Sequence, residues 1–450
     1  MQIPFIGDGV ASRFLKRSPE KLINLYPVIH EGNIFSASLM GTPGFRIFAD
    51  INNARIRMIH VMDGVLYCLA GERFYRVDSD GSSFQKGVIP GTTRPRAADN
   101  GTQLVMPVGD GYIYNKTLDS VAQITDPDYE QSTSCCFVGQ YISFVKENSG
   151  EFLLSAFQDA SDIDALDFAT SEAAPDDLIA NQRFKGTQWL IGTDSTEVWY
   201  VTAESFPMNP VPGHYWDVGC IAKYSVDSNE NYIAWLGNDR QIYASTGGQP
   251  QVISDEDMAY QLSKLSVVDN AEGFLYTMEG HTFYQITFQT DKKTFVYDFQ
   301  TQRWHERQSG QTRHRASMYA YVYGKHIIAD YQTGKLYEWS LDFGDEDTAR
   351  ITRECITPGV HNNGEVIRFP RIELMAETGV TPLNDDEDVV QVRWSDTGAD
   401  WGEWVNMPYG ARGERFTRLK LHGCGSSKER YHHLRTTTKG QVNWLSLVKT

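Results

Sequence analysis

The sequence predicts an all-β chain built around a β-propeller of seven blades, with six or eight as alternatives, flanked by an N-terminal arm and a C-terminal β-sandwich-like domain. Three observations predict it. Aromatic residues make up 12% of the chain and sit in short runs beside β-branched neighbours, a composition that suits strands. A strand, tight turn, strand pattern recurs seven times with its turns roughly 39 to 45 positions apart, close to the length of a four-stranded blade. Long amphipathic helical patterns are scarce. The clearest is Ser254 to Leu265, with Ser254 as its expected N-cap and Asp257 three residues on.

Taken in order, residues 1–50 are rich in Pro and Gly, lack a clear period, and read as an arm or docking segment. Residues 51–345 hold the repeats. Their hairpins turn near Gly71, Asp110, Ser149, Thr193, Asn238, Gly280 and Gly324. One four-stranded sheet cannot bury both faces, whereas radially packed sheets cover one another and leave only short edges. The last two units share a local pattern, YDFQTQRW and ADYQTGKLYEW. There Asp298 with Thr301, and Asp330 with Thr333, are placed to bond the backbone of a turn, resembling the turn of kelch-type blades. Residues 346–450 change register. A candidate strand at Arg371–Met375, an acidic loop NDDEDV (384–389), and QVRWSD, FTRLKLHG and YHHLRTTT, which alternate like exposed-face strands, read as a separate β-sandwich-like domain.

The 450 residues leave one to three domains open, and 41% hydrophobic with 22% charged residues is the composition of a chain with a real core. The formal charge of -17 argues against a protein that wraps nucleic acid by neutralising phosphates. No run approaches about eighteen consecutive apolar residues, so no membrane insertion is expected, and the N-terminus lacks the apolar core of a signal peptide. Cys68, Cys135, Cys136, Cys220, Cys355 and Cys424 have no paired spacing and read as buried free thiols.

Chemistry-bearing constellations are missing. SDTGADW (395–401) contains an Asp-x-Gly-x-x-Trp core like the Asp-box turn of sialidase-like propellers, but it occurs once and outside the repeats. Asp162, Asp164, Asp167, Asp176 and Asp177 form the densest acidic stretch without calcium-loop spacing. His432 and His433 are adjacent, and His314 lies between arginines, without a metal-binding pattern. Arg303, Arg307, Arg313 and Arg315 read as a polar blade edge, an interface with an acidic neighbour or a local positive patch. No catalytic residue, cofactor or metal is expected.

Several linear motifs resemble those of the packaged-DNA stabilisation proteins, the tail hub or tail accessory factors of P22-like short-tailed bacteriophages. They are INLYP (23–27), MGTPGF (40–45), LDFATSEAAPDDL (166–178), WLIGTDSTEVWYVTAESFPMNP (189–210), GCIAKYS (219–225), AWLGNDRQIYASTGGQPQVIS (234–254) and VRWSDTGADWGEW (392–404). The resemblance marks Asn24, Tyr26, Pro27, Gly41, Thr42, Pro43, Gly44, Glu172, Pro175, Asp176, Gly192, Glu197, Trp199, Gly219, Cys220, Trp235, Leu236 and Gly237 as structural signature positions. It implies a non-enzymatic virion protein made in the host cytoplasm and assembled into the phage tail. Its implied partners are further copies of itself in a hexameric ring, the portal-adaptor ring, tailspikes or tail fibres, any tail needle, and double-stranded DNA in transient, non-specific passage. The alternatives are a propeller that only attaches fibres and a tail-associated glycan hydrolase.

Overall fold

The structure is a computed structural model that describes residues 2–7, 9–13, 20–30, 36–171, 175–379, 389–410, 413–415 and 417–449. Among them, seven four-stranded antiparallel meanders follow one another: 56–88, 98–123, 132–170, 178–216, 227–252, 272–306, and 316–340 completed by Gly44–Asp50. Each presents an apolar set on both faces. In Val65–Ala70, Leu66, Cys68 and Ala70 join the core shared with the seventh meander, while Tyr67 and Leu69 join the core shared with the second. Alternation with a period of two therefore buries both faces. Separate apolar cores fill each junction between successive meanders, including the one from seventh back to first. The fold is a β-propeller. Its first strands surround a central cavity of about 280 Å³, to which Ile59, Cys135, Gln182, Asp227, Phe274 and Met318 contribute from different meanders.

The hairpins expected from the repeats form, in two phases. Those near Gly71, Asp110, Ser149, Thr193 and Asn238 join the second and third strands of a meander, whereas those near Gly280 and Gly324 join the first and second. In the last two meanders Asp298 accepts from Gln300 N (2.9 Å) and Thr301 Oγ1 (2.8 Å), and Asp330 accepts from Gln332 N (3.0 Å) and Thr333 Oγ1 (2.7 Å). Both carboxylates are buried turn staples, as their spacing suggested.

The segment expected as an arm supplies strands to three sheets. Gly44–Asp50 pairs with Lys335–Ser340 and closes the ring by joining early chain to late chain. Lys21–Ile23 lies between Arg303–Glu306 of the sixth meander and Arg353–Ile356, so one hydrogen-bonded sheet runs from propeller into sandwich. Leu25–Ile29 and Ala37–Gly41 enter the other sandwich sheet beside Asn443–Lys449, followed by Arg371–Ala376 and Arg418–His422. The first sandwich sheet continues through Glu429–Thr436, Val389–Ser395 and Val405–Pro408. A single apolar core that includes Leu25, Leu39, Phe369, Leu434 and Trp444 lies between the two sheets.

Two local expectations are corrected. The helix spans Glu256–Ser263, and its N-cap is Asp255, whose carboxylate accepts from Met258 N (2.7 Å). Ser254 is instead held by the neighbouring strand, accepting from Ile242 N and donating to Gln241 Oε1. YHHLRTTT is not an exposed-face strand: Glu429–Thr436 is central in its sheet and carries five consecutive buried residues. Residues 384–388 of the acidic loop, and Glu172, lie outside the described residues.

Candidate functional site at the junction of propeller and sandwich

Asn24 sits between Lys21–Ile23, which bridges propeller and sandwich, and Leu25–Ile29 of the other sandwich sheet, and it is 1% exposed. Its backbone adopts φ +53°, a left-handed conformation that asparagine tolerates better than most residues. Its amide nitrogen donates to Gln308 O (3.0 Å) on the propeller and to Thr352 O (2.8 Å) at the entry to the sandwich. Its Oδ1 accepts from Gln308 N (3.0 Å), its N–H donates to Glu306 O, and its carbonyl accepts from Thr42 N. One buried residue thus ties together three separate stretches of chain, leaving none of its hydrogen-bonding groups idle.

The neighbouring signature positions converge here. Tyr26 packs edge-on against Phe283 and donates to Met40 Sδ (2.9 Å), and burial raises its phenol far above the ordinary value. Pro27 pairs with Leu39. A Cβ on Gly41 would lie 2.7 Å from Arg353 Nε, and one on Gly44 would lie 2.2 Å from Asp345 O, so close approach rather than flexibility demands glycine at both. Pro43 O accepts from Arg307 Nη2 (2.9 Å) and Trp339 Nε1 (3.2 Å).

Beneath these residues lies a charged cluster in which sequence reasoning singled out Arg307 and His314 but missed Arg353, Glu346 and His305. Arg307 and Arg353 are fully or almost fully buried, and Arg353 Nη1 donates to Thr438 O (3.1 Å). Glu346 is 5% exposed, with His314 Nε2 3.9 Å from its Oε1. Burial pushes its carboxyl up to about 7, opposed by the Ser309 hydroxyl and by Arg307, Arg315 and Arg353. His305 falls to about 3 through burial and repulsion from Arg307, and His314 is lowered well below its ordinary value for the same reasons. Arg307 and Arg313 are therefore corrected from a surface patch or blade edge, while Arg303 and Arg315 stay partly exposed. Arg307 lies over Trp339, Arg313 over Tyr331, and Arg315 pairs with the buried Asp330 (3.2 Å).

The central signature block is a separate construction on the third to fifth meanders. Asp176 accepts from Asp194 N, Ser195 N (both 2.9 Å) and Ser195 Oγ, against Gly192, while Pro175 beside it is exposed. Buried Glu197 accepts from Ser171 Oγ (2.7 Å) and Trp199 Nε1 (3.1 Å). Gly219 packs on the Thr193 backbone and accepts from Trp235 Nε1 (3.2 Å), Cys220 bridges to Gly237, and Leu236 N donates to Ser225 Oγ. Of the acidic stretch, Asp176 belongs to this lock, whereas Asp162, Asp164 and Asp167 lie on the edge strand Asp159–Thr170. Ser395 and Thr397 in the Asp-box-like segment cap their own turn, and Asp396 pairs with Arg430 (2.8 Å). All six cysteines are buried and free.

Asn24→Ala removes three side-chain hydrogen bonds and strains the backbone, and is expected to destabilise folding by about 3 kcal/mol in chemical denaturation. A loss below about 1 kcal/mol would contradict the role given to Asn24. For Glu346, a carboxyl raised in the folded chain contributes stability that is full below its ordinary value of 4.5 and is lost as pH rises through about 7. Glu346→Gln should therefore gain on the wild type by on the order of 3 kcal/mol between pH 4.5 and 7.5. Buried neutral histidines favour higher pH in both proteins and cancel in this comparison. Parallel stability profiles would show that Glu346 ionises normally in the folded chain.

The comparisons with known proteins agree with this two-part architecture. The family described as bacteriophage P22 Gp10, beta-propeller, matches residues 1–343, and that described as bacteriophage P22 Gp10, beta-sandwich, matches residues 352–448. No curated protein gives a significant match. Among solved structures, the computationally designed Ika8 protein is 11% identical at TM-score 0.42, over 75% of this chain and 99% of that one. BamB from Moraxella catarrhalis is 9% identical at TM-score 0.39, over 65% of this chain and 97% of that one. With both the propeller and the sandwich matched, the chain belongs to the family of bacteriophage P22 Gp10, the packaged-DNA stabilisation proteins.

Proposed function

We propose that this chain is the tail hub of a short-tailed phage. About six copies form a ring below the portal and its adaptor, close the DNA channel after packaging, retain the genome, and hold tailspikes or fibres, with DNA passing through at ejection. The observation that carries this reading is the family match through both parts of the chain, 1–343 and 352–448. The fold supports it physically. We take the seven meanders as seven blades, with 51–345 as propeller, 346–450 as C-terminal domain and 1–50 as the segment that docks one on the other. Interlocked strands make these parts a single stiff platform, and stiffness suits a part that must hold neighbours on several sides against a pressurised channel.

The role is structural, without a catalytic step or cofactor. The acidity has a use in this reading: six chains at -17 carry about -100, and the part of that charge facing the channel repels DNA and keeps it from sticking during ejection.

Particles assembled without this chain are expected to package DNA and then lose it to added nuclease, and supplying the chain in trans should restore protection. Nuclease-resistant, full heads in its absence would contradict genome retention and leave only the attachment role.

A further inference from the structure

Where the first strands of the fifth, sixth and seventh meanders end, a groove of about 450 Å³ opens beside the central cavity, the two sharing Phe274's neighbour Tyr319. Three meanders build its rim. Glu230 and Asn231 come from the fifth, Thr277 and Glu279 from the sixth, and Tyr321 from the seventh, and all five are exposed. Tyr321 is 58% exposed, and its ring centre lies 5.0 Å from that of His326. Half-buried Tyr319 stacks on Phe274 and on His326, and its hydroxyl bonds His326 Nδ1 (2.8 Å), which fixes the aromatic wall. Buried Tyr276 and Met278 back the groove.

The charge of this groove has one sign. Glu230 and Glu279 line it and have no ion pair among the described residues, and no lysine or arginine lines it. Lys325, beside His326 in sequence, is turned to Glu338 (2.6 Å), and Arg307 meets Tyr276 from the buried interior. Burial lowers His326 below its ordinary value, so it adds no positive charge at neutral pH. An anion would face two carboxylates. A hard metal ion needs several converging oxygen ligands, and among the described residues no group of three or more His, Cys, Asp and Glu is placed to hold a metal. A cation carried on carbon meets both features of the wall: the carboxylates attract its charge, while tyrosine rings accept the charge and the methylenes beside it on their faces. The groove has the size that small-molecule sites occupy.

We infer that this groove binds an organic cation, an alkylammonium group presented by a free polyamine or by a lysine side chain. The inference stands apart from the tail-hub reading, because it rests on the groove alone.

The test titrates the full chain calorimetrically with putrescine, spermidine and N-acetyl-lysine amide, and in parallel with magnesium chloride at matched ionic strength. At least one amine should saturate with Kd near or below about 1 mM. Tyr321→Ala, Glu230→Gln and Glu279→Gln should each weaken it by roughly fivefold, whereas Tyr321→Phe, which keeps the ring face, should leave it unchanged. All three positions are exposed, so these variants are expected to fold. Tighter binding of the polyamines would identify a free polyamine as the source, and tighter binding of the lysine derivative a protein-borne side chain. Amine binding that ignores the substitutions would be diffuse attraction to an acidic chain and would overturn the inference. Displacement of the amine by equimolar magnesium, or no saturable amine binding, would overturn it equally.

Discussion

Ring closure in this protein depends on residues that lie nearly three hundred positions from the strand they complete, and that constraint organises everything around it. Gly44–Asp50 must reach the edge of Lys335–Ser340, so the chain before it has to cross the region where the propeller ends and the sandwich begins. The buried amide of Asn24 fixes that crossing, by bonding the propeller at Gln308 and the sandwich entry at Thr352. Once it is fixed, Gly41 can approach Arg353, and Pro43 can receive both Arg307 and Trp339. A polar core of this kind costs desolvation and returns a defined register, which apolar packing alone would leave looser.

The repeat was legible because each blade buries both faces and therefore writes aromatic and branched residues on either side of its turns. Its phase was not. A hairpin near Gly280 has the same local chemistry as one near Gly71, yet it joins first and second strands rather than second and third. Ring closure was invisible for a similar reason, since periodicity reports local pairing and Gly44–Asp50 pairs across almost the whole propeller. Asp298 with Thr301 could be read because a side chain bonding its own turn needs only neighbours in sequence.

The junction was partly legible. INLYP and MGTPGF stood out as motifs, but nothing in them says that Asn24 would meet Gln308. Arg307, Arg313 and Arg315 misled because closely spaced arginines are usually solvated, whereas here aromatic faces and a buried carboxylate take them up. Ser254 and Asp255 are both good N-caps. Only the neighbouring strand, which already uses the Ser254 hydroxyl, decides between them.

The proposed function rests on the family match and on this interlocked build, so the question it poses first is one of place. Antibody-gold labelling of intact phage particles against this chain tests it most directly. Label is expected only on the head-proximal tail, directly below the head. Label at distal fibres, or at no position on intact particles, would contradict it.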